Sequence, residues 1–108
     1  MSGGDILRGH TETIILAMLK DGASYGYEIS KNILEKGGGI LDIKDATIYT
    51  AFRRMEAEGL ITTFWGDGVG GARRRYYEMT EEGRKFYERK KEEWIVVSNL
   101  LDNLIIGG

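Results

Sequence analysis

The sequence contains no cysteine, no proline and a single histidine, His10. Without cysteine there is no disulfide frame and no thiolate metal site. A lone histidine gives an imidazole metal centre nothing to build on. Without proline, turns fall to glycine, and seven of the 16 glycines gather in three clumps: Gly37-Gly38-Gly39, Gly66-Asp67-Gly68 and Gly70-Gly71. Such clumps mark breaks between elements. No apolar run reaches the ~20 residues a membrane-spanning helix needs. Met1 to His10 holds no apolar core of the kind a secretory signal carries. No membrane partner and a cytoplasmic location are the expectations.

A positive surplus is missing as well. Fifteen Lys and Arg face 17 Asp and Glu, for a formal net charge of −2. Affinity for nucleic acid comes largely from neutralising phosphates, so this balance argues against it at first sight. A footprint needs only a local patch, however. Five of the basic residues sit in two short clusters, Arg53-Arg54 and Arg73-Arg74-Arg75. The charge is polarised along the chain rather than absent.

With 108 residues, 42% of them hydrophobic and 30% charged, the chain is an ordinary globular domain with a modest core. From Asp5 to Lys20, Leu7, Ile14, Ile15, Met18 and Leu19 recur at helical spacing. Asp21-Gly22 ends that helix. Ser24 reads as the N-cap of a second helix, Tyr25 to Lys36, with Ile29 and Ile33 facing inward. A short extended piece, Ile40 to Ile43, leads to a third helix, Asp45 to Glu58. There Ile48, Ala51, Phe52 and Met55 fall at i, i+3, i+4 and i+7 and form one buried stripe. Gly59 is a natural stop. Leu60 to Trp65 and Arg73 to Met79 read as two antiparallel strands, rich in β-branched and aromatic residues, with a glycine-rich loop from Gly66 to Ala72 between them. Thr80 caps a last helix reaching about Ile106, with Glu81 and Glu82 in the first turn, where the helix dipole favours negative charge. Tyr87, Lys90, Trp94, Val97, Leu101 and Leu104 follow a 3–4 alternation along it. So long a helix outruns its small domain, and its stripe calls for a second chain.

The fold class is thus mainly α, of α+β type: a winged helix-turn-helix with a two-stranded wing and a long C-terminal dimerisation helix. Residues 1–79 form the winged-helix unit and residues 80–108 the dimerisation helix. The DNA major groove, ~12 Å wide, admits one helix. A reading helix needs an apolar back and a front of short polar and long basic side chains. On the third helix that front is Ala46, Thr47, Thr50, Arg53 and Arg54, with Tyr49 at the flank. Thr47 and Thr50 can contact base edges or thymine methyls, Arg53 a guanine edge or a phosphate, and Arg54 and Tyr49 the backbone. Arg73, Arg74 and Arg75, at the base of the wing, would bracket the neighbouring backbone or minor groove. Each residue also has a plainer reading. The threonines can be solvated surface, and Tyr49 half-buried core. Arg53 can pair with Glu56 and Arg54 with Glu58 along the helix. Either Tyr76 or Tyr77 belongs to the core. A winged helix can also serve as a protein-interaction module, which would not need its arginines on one side. No catalytic set is visible. The Gly66 to Gly71 stretch lacks the Gly-Lys-Ser/Thr ending of a phosphate-binding loop and opens a strand, not a helix. An enzyme is not expected, and no cofactor is called for. Trp94, on the dimer stripe, is either interface core or the wall of a slot for flat apolar molecules.

The segment Ala46-Thr-Ile-Tyr-Thr-Ala-Phe-Arg-Arg-Met-Glu-Ala-Glu-Gly-Leu-Ile61 resembles the recognition-helix signature of the PadR family of transcriptional regulators. Arg73-Arg-Arg-Tyr-Tyr-Glu-Met-Thr-Glu-Glu-Gly83 resembles that family's second wing strand and helix start. The resemblance runs from about Ile6 to Leu104 and is strongest to the short members with one C-terminal helix, among them multidrug-sensing repressors. It implies a two-fold homodimer on double-stranded DNA with an inverted-repeat operator, and release of that DNA by an aromatic small molecule. It implies that Trp94 stacks the ligand in a pore on the dimer axis, with Val97 and Lys90 nearby and Thr13, Leu16 and Ala17 from the first helix. Two departures stand out. Thr50 occupies a position where many members carry proline. Lys90 and Ser98 flank Trp94 where no carboxylate is found, which argues against a preference for cationic ligands.

Overall fold

The computed structural model describes residues 9–107. In chain order the elements are α1 (Thr11–Met18), β1 (Ser24–Tyr25), α2 (Gly26–Lys36), α3 (Asp45–Ala57), β2 (Ile61–Asp67), a short 3₁₀ turn (Val69–Gly71), β3 (Arg73–Met79) and α4 (Glu81–Leu101). A π-helical turn, Asp102–Ile106, extends α4. The architecture is the winged helix-turn-helix expected from the pattern, with one more strand. β1 pairs with β3, so the sheet order is β1-β3-β2 and all neighbours are antiparallel.

The first helix is shorter than its periodicity suggests. Gly9 takes a positive φ of 89°, which a continuous right-handed helix cannot contain, and the regular turns begin at Thr11. Asp5 to Arg8, and with them Leu7, lie outside the described residues. The buried face of α1 is also rotated from the expected one. Ile15, Leu16 and Leu19 are enclosed, while Ile14 and Met18 are only partly so.

Ser24 is not a cap. It belongs to β1 opposite Tyr77, and its hydroxyl donates to Glu28 Oε1 at 2.5 Å. Tyr25 takes the N-cap position of α2 with extended backbone and no side-chain cap bond. Gly38, at φ 67°, closes α2: its N–H reaches the Glu35 carbonyl at 3.1 Å, and the Gly39 N–H reaches that of Leu34 at 2.8 Å. This paired pattern is a Schellman cap.

α3 ends the same way. The Gly59 N–H donates to Glu56 O at 3.0 Å and the Leu60 N–H to Met55 O at 2.9 Å, with Gly59 at φ 77°. Met55 and Leu60 are both buried, as the cap's hydrophobic contact requires. Ile48, Ala51, Phe52 and Met55 form the enclosed back of the helix, as their spacing predicts. Phe52 stacks on Tyr77 with ring centroids 3.8 Å apart, so Tyr77 is the core tyrosine of its pair. Full burial of a side chain such as Phe52 is worth about 1.5–3 kcal/mol. That anchors α3 to the sheet and leaves its front free.

The hairpin is longer than the glycine clumps suggest. Pairing runs from Ile61↔Met79 to Gly66↔Arg74 and Asp67↔Arg73. Gly66 is a strand residue because the Tyr76 ring lies across it, 2.7 Å from where a Cβ would stand. Thr80 begins α4, accepting from the Gly83 N–H at 2.9 Å and donating to Gly59 O at 2.7 Å. Only the first turns of α4 are covered, at Gly83 and Tyr87. Tyr87 therefore belongs to this chain's own core rather than to a free stripe. From Glu88 onward nearly every residue is exposed, and i,i+3 pairs such as Lys91–Glu88 (3.1 Å) and Lys90–Glu93 (3.3 Å) decorate the helix.

Candidate nucleic-acid interface

The front of α3 presents Ala46, Thr47, Thr50, Arg53 and Arg54, all exposed. Helix periodicity puts them on the side opposite the Ile48, Ala51, Phe52 and Met55 anchor. Arg53 Nη2 donates to Thr50 Oγ1 at 3.3 Å, and no ion pair joins it to Glu56 among the described residues. Glu56 instead turns toward the wing, with Arg75 Nη2 at 3.8 Å. Arg54 stands 4.0 Å from Glu58, the partner its spacing suggests, but its main partner is elsewhere. Its Nε donates to Glu12 Oε1, on α1. Between α1 and α3 lies an open cleft of about 290 Å³, lined by Thr11, Ala46, Thr47, Thr50, Ala51 and Arg54.

Tyr49 is partly packed against the core and partly open. It is 44% exposed, yet its ring meets Phe52 edge-on at 5.6 Å and its hydroxyl packs over Gly26. A Cβ at Gly26 would lie 2.7 Å from that hydroxyl oxygen, so glycine at the start of α2 is what admits the tyrosine.

The three wing arginines are not on one face. Successive strand residues point to opposite sides. Arg73 and Arg75 flank Trp65, at 5.4 and 6.0 Å from its ring, on the side continuous with Tyr77. Arg75 Nε also donates to Thr63 Oγ1 at 2.8 Å. Arg74 lies on the other side, 3.9 Å over the Tyr25 ring, beside Tyr76 and Phe64, which stack at 5.5 Å. The structure thus joins Arg75 to the α3 side of the wing and sets Arg74 apart.

Around the other group of candidates, Trp94 is 53% exposed and meets His10 edge-on at 5.6 Å. Val97 is exposed, Thr13 and Ala17 are half-buried on α1, and Lys90 lies 5.6 Å over the Phe86 ring. Leu16 is different: it is fully enclosed in the core and has no surface to offer a ligand. The apolar surface also extends beyond the expected stripe. Ile95, Val96, Leu100, Ile105 and Ile106 are exposed together with Trp94, Val97, Leu101 and Leu104.

Two titrations are displaced. Burial raises the Tyr77 phenol above its ordinary range, against the opposing pull of Arg75. The hydrogen bond to Glu88 raises the Lys91 ammonium. Neither group lies on the front of α3. Thr11 and Glu12 were not legible from spacing, because Thr11 lines the cleft from another helix and the contact of Glu12 with Arg54 spans 42 residues of sequence. Among the described residues no helix is long and apolar enough to cross a membrane.

Residues 15–89 match the transcriptional regulator PadR-like family. Over 107 residues the chain is 36% identical to an uncharacterised protein of Lysinibacillus sphaericus, covering 99% of this chain and 98% of that one. It is similar to the solved structure of a transcriptional regulator from Clostridium thermocellum, with 44% identity, a TM-score of 0.84, and coverage of 94% of this chain and 98% of the other. A PadR family transcription regulator from Clostridium difficile superposes with a TM-score of 0.80 at 33% identity, over 89% of this chain and 98% of that one. A PadR-like regulator from Bacillus cereus gives 0.83 at 31%, over 94% and 96%. These structural neighbours are regulators of transcription, not enzymes. With its helices, its wing and the segment from Ile15 to Arg89 all in agreement, the chain belongs to the PadR-like family of transcriptional regulators.

Proposed function

We propose that the protein is a DNA-binding repressor that acts as a homodimer on an inverted repeat. The observation that carries this reading is α3, whose back is locked into the core by Phe52 and Met55 while Thr47, Thr50 and Arg53 stand exposed on its front. A helix fixed in this way can enter the major groove without losing its orientation. Residues 9–79 carry this reading unit, and the arm from residue 80 onward brings two copies together. Their α3 helices would then sit one DNA turn apart, ~34 Å. Arg75, tied to Glu56 and Trp65, is the wing arginine best placed to reach the same duplex.

The test uses a duplex selected by the wild-type protein from a random-sequence pool. Arg53→Ala is expected to weaken binding to it by ~1–3 kcal/mol, with a smaller loss on calf-thymus DNA. Affinity should fall steeply with salt as counterions are released. Unchanged affinity would reduce Arg53 to surface. Absence of duplex binding at any salt would favour an interaction module instead.

The effector is a planar aromatic molecule stacked at Trp94 between two chains, beside Val97, Thr13 and Ala17. Two contacts favour this reading. Trp94 touches His10 at the start of α1, and Glu12, two residues on, holds Arg54 of the reading helix. One turn of α1 therefore abuts both places. In a Trp65→Phe variant the remaining fluorescence belongs to Trp94. Planar aromatics such as acridines and naphthalenes should quench it and release the duplex. A broad panel that does neither leaves a repressor without such a ligand.

A further inference from the structure

We propose that Glu12 is a positioning residue for DNA binding, holding Arg54 so that the cleft between α1 and α3 becomes a seat for one backbone phosphate. The inference rests on the DNA-binding reading above. It concerns an acidic residue on a surface where acid should do harm.

Glu12 lies on α1 with its side chain only 18% exposed, whereas that of Arg54 is 56% exposed. The bond between them uses Arg54 Nε and Glu12 Oε1. A guanidinium has five N–H donors in a rigid fork, and this contact occupies one edge. Among the described residues the terminal Nη nitrogens of Arg54 make no hydrogen bond. The carboxylate therefore fixes the fork and leaves its terminal donors available. Glu58, at 4.0 Å and more exposed, is too far to orient it.

The cleft beside this pair has a lining suited to a phosphate. Thr11, Thr47 and Thr50 contribute three hydroxyls and Arg54 the guanidinium. Thr50 Oγ1 accepts from Arg53, and its own O–H stays free to rotate and donate. Hydroxyls and arginine are the side chains that hold phosphate oxygens, and such contacts position the protein without reading sequence. The occupant fits the charge of the cleft and its place on the front of α3. Thr11 and Glu12 thereby join α1 to the DNA surface.

The sign of the effect distinguishes this role from simple electrostatics. Removing an acid near DNA should by itself tighten binding, because it removes repulsion from phosphates. The seat predicts the opposite. Arg54→Ala should weaken binding about ten-fold, the scale of one charge-assisted hydrogen bond, and lower the salt slope by about 0.9. Glu12→Ala should weaken it about five-fold, on the selected duplex and on calf-thymus DNA alike, because a phosphate contact is blind to sequence. Glu12→Gln, which keeps the shape of the helix surface, should fall between wild type and Glu12→Ala. In an Arg54→Ala background, Glu12→Ala should cost nothing further. Tighter or unchanged binding by Glu12→Ala and Glu12→Gln overturns the proposal. So does a loss that persists undiminished without Arg54. If wild-type protein binds neither duplex, the DNA-binding reading itself has failed, which is a separate result.

Discussion

Gly83→Ala is expected to lower stability by about 2–4 kcal/mol, at or above the usual cost of forcing atoms into a packed site because the clash is with backbone. For a domain of this size that is a fall in melting temperature of more than about 10 °C. This loss runs against helix propensity, since Ala in a helix is favoured over Gly by up to about 1 kcal/mol. Gly83 sits in the first turn of α4, and a Cβ there would run into the carbonyl of Leu60. That carbonyl cannot step aside easily. It accepts the Thr80 N–H at 3.0 Å, and Leu60 is itself pinned by the Schellman cap on Met55. Thr80 Oγ1 further ties α4 to Gly59. One methyl group would push apart the end of α3, the start of β2 and the start of α4. Thermal and urea unfolding at fixed protomer concentration measure the effect. A melting temperature equal to or above wild type would show that the close approach of α4 to Leu60 does not hold the corner together. Glu82→Ala, at the exposed neighbouring position, should change little.

The same corner shows what could and could not be foreseen. α3 was legible because three independent signals agree: the Ile48, Ala51, Phe52 and Met55 spacing, the stop at Gly59 and the length between them. β3 was legible from end to end, since Arg73 to Met79 alternates faces and runs straight into the Thr80 cap. β1 was not. Two residues carry no periodicity, and Ser24-Tyr25 becomes a strand only because β3 offers it Tyr77 and Tyr76 as partners. The glycines of the hairpin misled for a related reason. Gly66 reads as loop by composition, but the Tyr76 ring needs the room a side chain would fill. On α1 the apolar residues are dense enough that more than one face fits a helical period, and tertiary packing selected Leu16 over Ile14. The site divides along the same line. That Thr47, Thr50 and Arg53 share one exposed face was legible because one helix places them. Arg54 and Glu56 find their partners on other elements, so spacing within α3 pointed to the pairs Arg54–Glu58 and Arg53–Glu56 and missed Glu12 and Arg75.

Leu101→Asp combined with Leu104→Asp is expected to convert a dimer of the 12.1 kDa chain into a monomer at micromolar concentration. From Trp94 to Ile106 the arm exposes nine large apolar side chains, and little of this chain covers them. A surface of that kind on a small domain marks a place of association. Leu101 and Leu104 lie on the same stripe as Trp94 and Val97, so a partner packed there would enclose them. In a two-fold arrangement each substitution counts twice. Burying several unpaired carboxylates costs at least about 4 kcal/mol in total, roughly a thousand-fold in the dissociation constant. The fold itself should survive, because neither leucine is in the core. Circular dichroism should therefore match wild type while sedimentation velocity reports a single chain. Duplex binding should weaken by a further ~10²–10⁴-fold, since two half-sites would no longer be held by one particle. A double variant that still sediments as a dimer would place the interface elsewhere on the molecule. A wild-type protein that is monomeric throughout would mean that the apolar arm awaits a different partner, and that one α3 helix reads DNA alone.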